Sequence, residues 1–184
     1  MTRFGYLLLA VGLMAAAAAC GKAASAKRQA ADAAASRAEA QYDRVLVNPE
    51  LRVVVRGIRY ALVQADSMYV NEDSTTAQLF GLRYLMLDTL GNRVAELQSA
   101  SARHNLRTLK LVAYGNPVLV GPASGRIASD TLNLDPEAHR IWSDVSTQVQ
   151  WAGGGTTTFA TFTVDDRFLN PKGTSPRGPQ RGRL

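Results

Sequence analysis

From Leu51 onward the chain is written in short runs that alternate apolar and polar side chains, the period of two expected of half-buried strands. Leu51, Val53 and Val55 alternate with Arg52 and Arg56, and Leu85 and Leu87 alternate with Tyr84, Met86 and Asp88. Leu109, Leu111 and Ala113 alternate with Thr108, Lys110 and Val112. Ala128, Leu132 and Leu134 share one face and Ser129, Thr131 and Asn133 the other, while Phe162 and Val164 alternate with Thr161 and Thr163. Turn residues punctuate these runs at Asn71–Ser74, Leu90–Asn92, Gly115–Pro117, Gly121–Gly125, Asp135–Glu137 and Gly153–Gly155. No helical period intervenes, so a parallel sheet with crossover helices is not expected. The pattern predicts an all-β domain of about ten strands joined by hairpins, as a sandwich, jelly roll or open barrel. A loose repeat of strand and turn recurs near Ala65–Tyr69, Ser101–Asn105 and Ser129–Asn133 at irregular spacing.

Composition changes this picture little, but charge locates the chemistry. The net charge of +6 resolves into +2 over residues 1–50, 0 over 51–170 and +4 over 171–184. The strand-rich region is neutral and the basic character belongs to the ends, which argues against a nucleic-acid-binding core. One cysteine and two histidines exclude an internal disulfide and make a zinc site improbable. Neither metal nor cofactor is expected.

The first nineteen residues read as an export signal. Arg3 supplies the positive start, and Phe4 to Ala19 is uncharged and mostly apolar. As a helix that run rises about 24 Å, short of the ~30 Å hydrocarbon core. It ends in Ala17-Ala18-Ala19-Cys20-Gly21, and the chain's single cysteine at the cut resembles a bacterial lipobox, with Ala17 where that motif favours Leu. The resemblance implies a lipid on the Cys20 sulfur and a mature chain beginning there; several acyl chains, at ~0.8 kcal/mol per buried CH₂, anchor durably. The alternative is an uncleaved signal anchor. Either places the remainder outside the cytoplasm at a membrane surface. Residues 20–48 form the tether: an Ala-rich stretch, without Gly or Pro over residues 22–45, that favours a solvated helical stalk, closed by Asn48-Pro49. The β domain is assigned to 49–170, and residues 171–184, rich in proline and basic residues, to a disordered tail.

Catalytic constellations are poor. Ser143 and Asp144 are adjacent and face apart on a strand, and His139 falls in the turn after Asp135, so no triad is expected. His104 reads as a surface or turn residue. Asp165 and Asp166 face apart, and the Gly153–Gly155 run lacks the helix and Lys-Ser/Thr of a phosphate loop. Trp142 and Trp151 suit packing more than ligand stacking. The chain reads as a binding or transport module rather than an enzyme, its apolar positions closing on themselves or enclosing a lipid or a partner strand.

The segment Leu106–Val120, the run Ser124–Asp135 followed by Arg140–Asp144, and Gly153–Phe168 ending Val-Asp-Asp-Arg-Phe resemble in order the strand and turn pattern of the LptC family. That family is the periplasmic component of the lipopolysaccharide export bridge, with an OstA/LptA-like β domain. The likeness spans about residues 51–170 and its motifs are degenerate. It implies a twisted antiparallel β-jellyroll holding the acyl chains of lipid A. It further implies receipt of lipopolysaccharide from an inner-membrane ABC transporter and transfer to an LptA-like jellyroll by edge-strand pairing. The inward candidates for lining such a groove are Val53, Val55, Leu62, Leu85, Leu87, Leu109, Leu111, Leu132, Leu134 and Phe162, each equally suited to a sealed core. Better-known members carry an uncleaved transmembrane helix, whereas Cys20 points here to lipid anchoring, expected on the periplasmic face of the inner membrane. The competing expectation is an envelope scaffold lipoprotein whose β domain binds only protein.

Overall fold

The computed structural model describes residues 42–71, 75–121, 125–168 and 171–178. Cys20, the signal segment and the expected helical stalk as far as residue 41 lie outside the described residues, whereas Arg44–Val47 at its end is a strand. The described residues form one branched antiparallel sheet of 15 strands. In chain order these are β1 (Arg44–Val47), β2 (Glu50–Val55), β3 (Ile58–Gln64), β4 (Ser67–Val70), β5 (Thr76–Leu87), β6 (Arg93–Asn105), β7 (Leu111–Tyr114) and β8 (Val118–Val120). They continue with β9 (Arg126–Ser129), β10 (Thr131–Asp135), β11 (Arg140–Ser143), β12 (Thr147–Gln150), β13 (Thr156–Phe159), β14 (Thr161–Asp165) and β15 (Lys172–Thr174).

The long strands β5 and β6 explain the branching, because each changes partners halfway along. Ser67–Val70 of β4 pairs with Ala77–Phe80, whereas Ala61–Gln64 of β3 pairs with Arg83–Met86. On β6, Glu96–Gln98 pairs with β8 and Ser101–His104 with β7. The switch falls at Gly81, whose φ of 63° is open to glycine at no steric cost. Elsewhere the same bend separates two short strands: at Ala65–Asp66, Gly115–Pro117, Asp130, Asp144–Ser146 and Ala160. The sheet is thus a ribbon creased along one line into two layers. Layer I holds β1, β4, the first half of β5, the second half of β6, β7, β10, β11, β14 and β15. Layer II holds β2, β3, the other halves of β5 and β6, β8, β9, β12 and β13.

From Gly115 the creases recur every 15 residues, at Asp130, Val145, Ala160 and Ser175. The loose repeat in the sequence is therefore a folded strand rather than a hairpin. It also explains why fifteen strands, most of them short, appear where about ten were expected. The fold observed is the all-β architecture expected from the alternation and the antiparallel jellyroll that the resemblance implied.

Core side chains line up in rows across the layers, because register carries each inward residue to an inward neighbour. In layer II the row runs Leu51, Val63, Tyr84, Leu97, Leu119, Ile127, Val149 and Thr157. In layer I it runs Leu46, Met68, Leu79, Ala102, Ala113 and Leu132. Leu79, Tyr84, Leu97, Ala113, Leu119 and Leu132 are all fully buried. Near the crease, polar groups satisfy one another: Ser129 Oγ lies 2.9 Å from Ser143 Oγ, and Thr147 Oγ1 donates to Ser129 Oγ at 3.1 Å and to the Val145 carbonyl at 2.9 Å. The crease at Asp130 reverses the alternation, so Ser129 is buried with Ile127 and half-exposed Ala128 lies on the other face, contrary to the sequence expectation.

Two boundaries move. β1 pairs with β4, so the domain begins before residue 49 and takes in the end of the expected tether. Lys172–Thr174 pairs with Thr161–Thr163, so the segment expected to be a disordered tail opens with a strand.

Candidate functional site: an apolar cavity at the open rim

The hairpin turns lie at the rims opposite the crease, and there the layers part around a cavity of about 860 Å³. Layer II contributes Val55, Arg56, Ile58, Arg59 and Tyr60 from the β2–β3 hairpin, with Leu87, Asp88, Thr89 and Val94 from the β5–β6 hairpin. Layer I contributes His139 from the β10–β11 turn and Asp165–Phe168 after β14. The volume falls in the range of sites for small organic ligands.

Two β-bulges build this cavity. In the β2–β3 pair, Val53 opposes Ala61 and Val54 opposes Arg59, leaving Tyr60 as the extra residue. In the β5–β6 pair, Met86 opposes Ala95 and Leu87 opposes Arg93, leaving Val94. A bulge re-aims the side chain it inserts, and both Tyr60 and Val94 line the cavity. The β2–β3 turn is the tight two-residue kind, with Arg56 at φ 51° and Gly57 at φ 81°, so both central residues are left-handed and glycine takes the more extreme.

Opposite these, Phe168 closes one side. Its ring is only 2% exposed and reaches across to layer II, where a Cβ on Gly121 would stand 3.0 Å from it. The φ of Phe168 is 60°, an uncommon conformation for a bulky residue, so the surroundings hold it against local preference.

The polar groups of the rim are organised around Asp166. His139 Nδ1 lies 2.6 Å from Asp166 Oδ2, and the Tyr60 hydroxyl donates to the same carboxylate. Tyr60 belongs to layer II and Asp166 to layer I, so this bond clasps the two rims together. Burial foremost, and then the negative charge of Asp166, hold the Tyr60 pKa well above the ordinary tyrosine value. Asp165 turns away and its Oδ1 accepts the Arg167 backbone N–H at 3.1 Å, so the adjacent carboxylates have separate tasks. His139 sits in its turn as expected, at φ 52°. Ser143 is buried and Asp144 exposed, which separates them as expected.

Inside the layers, two polar side chains sit in apolar surroundings. Tyr84 is fully buried and its hydroxyl makes no hydrogen bond; burial and then Asp166 raise its pKa. His104, expected at the surface, is 2% exposed and faces inward from β6 between Ala77 and Leu111. Burial lowers its pKa, the Leu109 backbone opposing, and favours the neutral ring. The tryptophans divide: Trp151 is buried, with Nε1 donating to Thr157 Oγ1 at 2.8 Å, while Trp142 lies half-buried beneath the Arg140 guanidinium, 4.8 Å from the ring centroid.

Of the ten expected inward residues, the structure brings Val55 and Leu87 to the cavity. Val53, Leu111, Leu132, Leu134 and Phe162 are buried in the packed interior. Leu62 and Leu85 pair with each other on the opposite face, because Ala61, Val63, Tyr84 and Met86 take the inward positions. Leu109 precedes β7 at φ 60° and packs half-buried against the core from the turn. The residues missed were Ile58, Tyr60, Val94 and Phe168. The turn residues at Leu90–Asn92 and Asp135–Glu137 marked two of the turns at this rim, whereas the Arg56-Gly57 turn was missed.

No family model matches the sequence, and no curated protein matches it. Among solved structures the fold is similar to LptH, the LptA homologous periplasmic component of the conserved lipopolysaccharide transport device from Pseudomonas aeruginosa. The TM-score is 0.52 at 10% identity, covering 66% of this chain and 94% of that one. At that identity the likeness speaks to fold.

Proposed function

We propose that this chain is a periplasmic link in lipopolysaccharide transport, receiving lipid A acyl chains between its layers and passing them along a bridge of jellyrolls. The observation that carries the reading is the rim cavity. Its walls are Val55, Ile58, Leu87, Val94 and Phe168, and Arg56, Arg59 and Arg167 stand at its edge. Apolar walls suit acyl chains, at ~0.8 kcal/mol per CH₂ removed from water, and guanidinium groups suit phosphate oxygens. The fold shared with LptH, a transport component, supports the same reading.

Within that role, the chain is an LptC-type component. It is held by lipid on Cys20 at the periplasmic face of the inner membrane, loaded by an ABC transporter, and joined by edge-strand pairing to an LptA-like jellyroll. The likeness of residues 51–170 to LptC and the lipobox at Cys20 support this placement.

The test is photocrosslinking in the envelope from Ile58 and Leu87, with Phe80, exposed on the outer face of layer I, as the control. An adduct with lipopolysaccharide at the two rim positions, dependent on cellular ATP and lacking at Phe80, is the expected result. No adduct at either rim position overturns the reading and favours the scaffold that binds only protein.

A further inference from the structure

The C-terminal segment lies along the outermost strands of both layers. Lys172–Thr174 pairs with Thr161–Thr163 of β14 in layer I. The chain then turns at Ser175, φ 49°, and Arg177 exchanges both backbone hydrogen bonds with Thr158 of β13 in layer II, each 2.8 Å. Between them, the Ala160 N–H at the crease donates to the Thr174 carbonyl at 2.9 Å. Two glycines let the segment lie this close. A Cβ on Gly173 would come within 2.3 Å of the Phe159 ring, and one on Gly178 within 2.4 Å of the Thr156 carbonyl.

Its course repeats that of β1 and β2 at the other end of the ribbon. Both run from layer I to layer II, and both cross the crease on a left-handed residue, Ser175 at φ 49° and Asn48 at φ 49°. Both also engage the neighbouring crease, where the Asn48 N–H donates to the Asp66 carbonyl at 2.9 Å. The attachments differ in strength. β1 and β2 are 4 and 6 residues long, with Val53 and Val55 buried. The C-terminal segment contributes a 3-residue strand and one bridge, and every side chain from Lys172 to Gly178 is exposed. Backbone pairing with no buried side chain belongs to the low-stability end of a fold.

We propose that residues 172–178 are a displaceable strap that imitates the β1–β2 edge of a second copy of this chain. The strap occupies the outer edge of β13 and β14 and stops the ribbon from extending head to tail. β13 to β14 runs from layer II to layer I, so an incoming β1–β2 edge is antiparallel to both and takes the strap's path with more residues paired. An uncovered edge invites such pairing, and one surface meeting a different one of the next copy builds open chains rather than closed dimers. The inference concerns this edge and holds whatever fills the rim cavity.

Sedimentation velocity on the full chain, on a chain ending at Asn170, and on Gly173→Val tests it. Both variants are expected to self-associate at least tenfold more tightly than the full chain, and a peptide spanning residues 171–178 in excess is expected to return the truncated chain to monomer. A truncated chain that melts cooperatively yet stays monomeric at every concentration overturns the proposal. Should neither variant fold, hydrogen exchange on the unaltered chain decides. The Thr158 and Ala160 amides must exchange at least tenfold faster than those of β5 and β6, and exchange only with global unfolding overturns the strap.

Discussion

Phe168 carries two opposed contributions that a pair of substitutions separates. Its ring is 2% exposed and spans from the end of β14 to Gly121, so Phe168→Ala removes a buried aromatic from a contact between layers. Truncations of this kind cost about 3–5 kcal/mol, a large part of the roughly 5–15 kcal/mol that holds a domain together. Because the site borders an existing cavity, the walls have little to collapse onto, which places the cost toward the upper end. The backbone acts in the other direction. At φ 60° an L-residue gives up about 1–2 kcal/mol that glycine does not, while glycine ordinarily loses roughly 0.5–1 kcal/mol to alanine through the unfolded chain. The balance makes Phe168→Gly equal to or more stable than Phe168→Ala, the reverse of the usual order. Urea unfolding of the three proteins, with m-values checked for two-state behaviour, measures both quantities. A cost under about 1 kcal/mol for the alanine variant would show that the ring does not bridge the layers. A glycine variant less stable than the alanine one by the ordinary margin would refute the strain. Both variants also lengthen the cavity, and an apolar fluorescent probe is expected to bind them more tightly.

Two further outcomes follow from the buried polar groups. Tyr84→Phe removes a fully buried hydroxyl that makes no hydrogen bond and is expected to stabilise the fold by about 1 kcal/mol in thermal and urea melts; a loss of stability instead would mean the hydroxyl has a partner in solution. His104 has its folded pKa held below the ordinary 6.5 by burial, so the unfolded chain takes up its proton first as pH falls. Its contribution is therefore complete above about pH 6.5 and declines as pH drops through 6.5 toward the lowered folded value, with a slope of at most about 1.4 kcal/mol per pH unit for one proton. His104→Leu is expected to flatten the stability profile over that window, and an unchanged slope would mean that other groups set it.

Alternation announces the period of a strand but not its phase, and the errors in the sequence reading trace to that difference. Both faces of β3 and β5 are apolar: Leu62 and Leu85 pair outward while Val63 and Tyr84 pair inward, so the sequence holds two acceptable registers. Only the neighbours selected by the crease at Gly81 decide between them. The same applies at Asp130, where one run became two strands and the buried face passed to Ile127 and Ser129. Where a strand carries a single apolar face, as in β14 with Phe162 and Val164, the reading was correct. Ser101–Asn105 reads as a stretch between strands, which puts His104 at the surface or in a turn, yet it lies within β6, where His104 alternates with Arg103 and Asn105 and faces in.

The candidate site was almost illegible for a related reason: it is made where the periodic rule fails. Val94 and Tyr60 occupy the bulges, Arg56 and Phe168 have left-handed backbones, and Leu87 belongs to the pair at which the register shifts. Along the crease the bends, spaced every 15 residues from Gly115 onward, constrain the strands, and the inward rows leave little room for anything but packing. At the rim the constraint ends, and the inserted residues turn side chains toward the space between layers. The sequence specifies one structure wherever its local preferences agree with one another, and the departures gather where something other than stability is served. A cavity assembled from two bulges, a strained Phe168 and the Tyr60–Asp166 clasp is the part of this ribbon on which a ligand would act. The clasp joins the two rims, so an occupant wider than the present opening must break it, and Tyr60→Phe supplies the opening in advance.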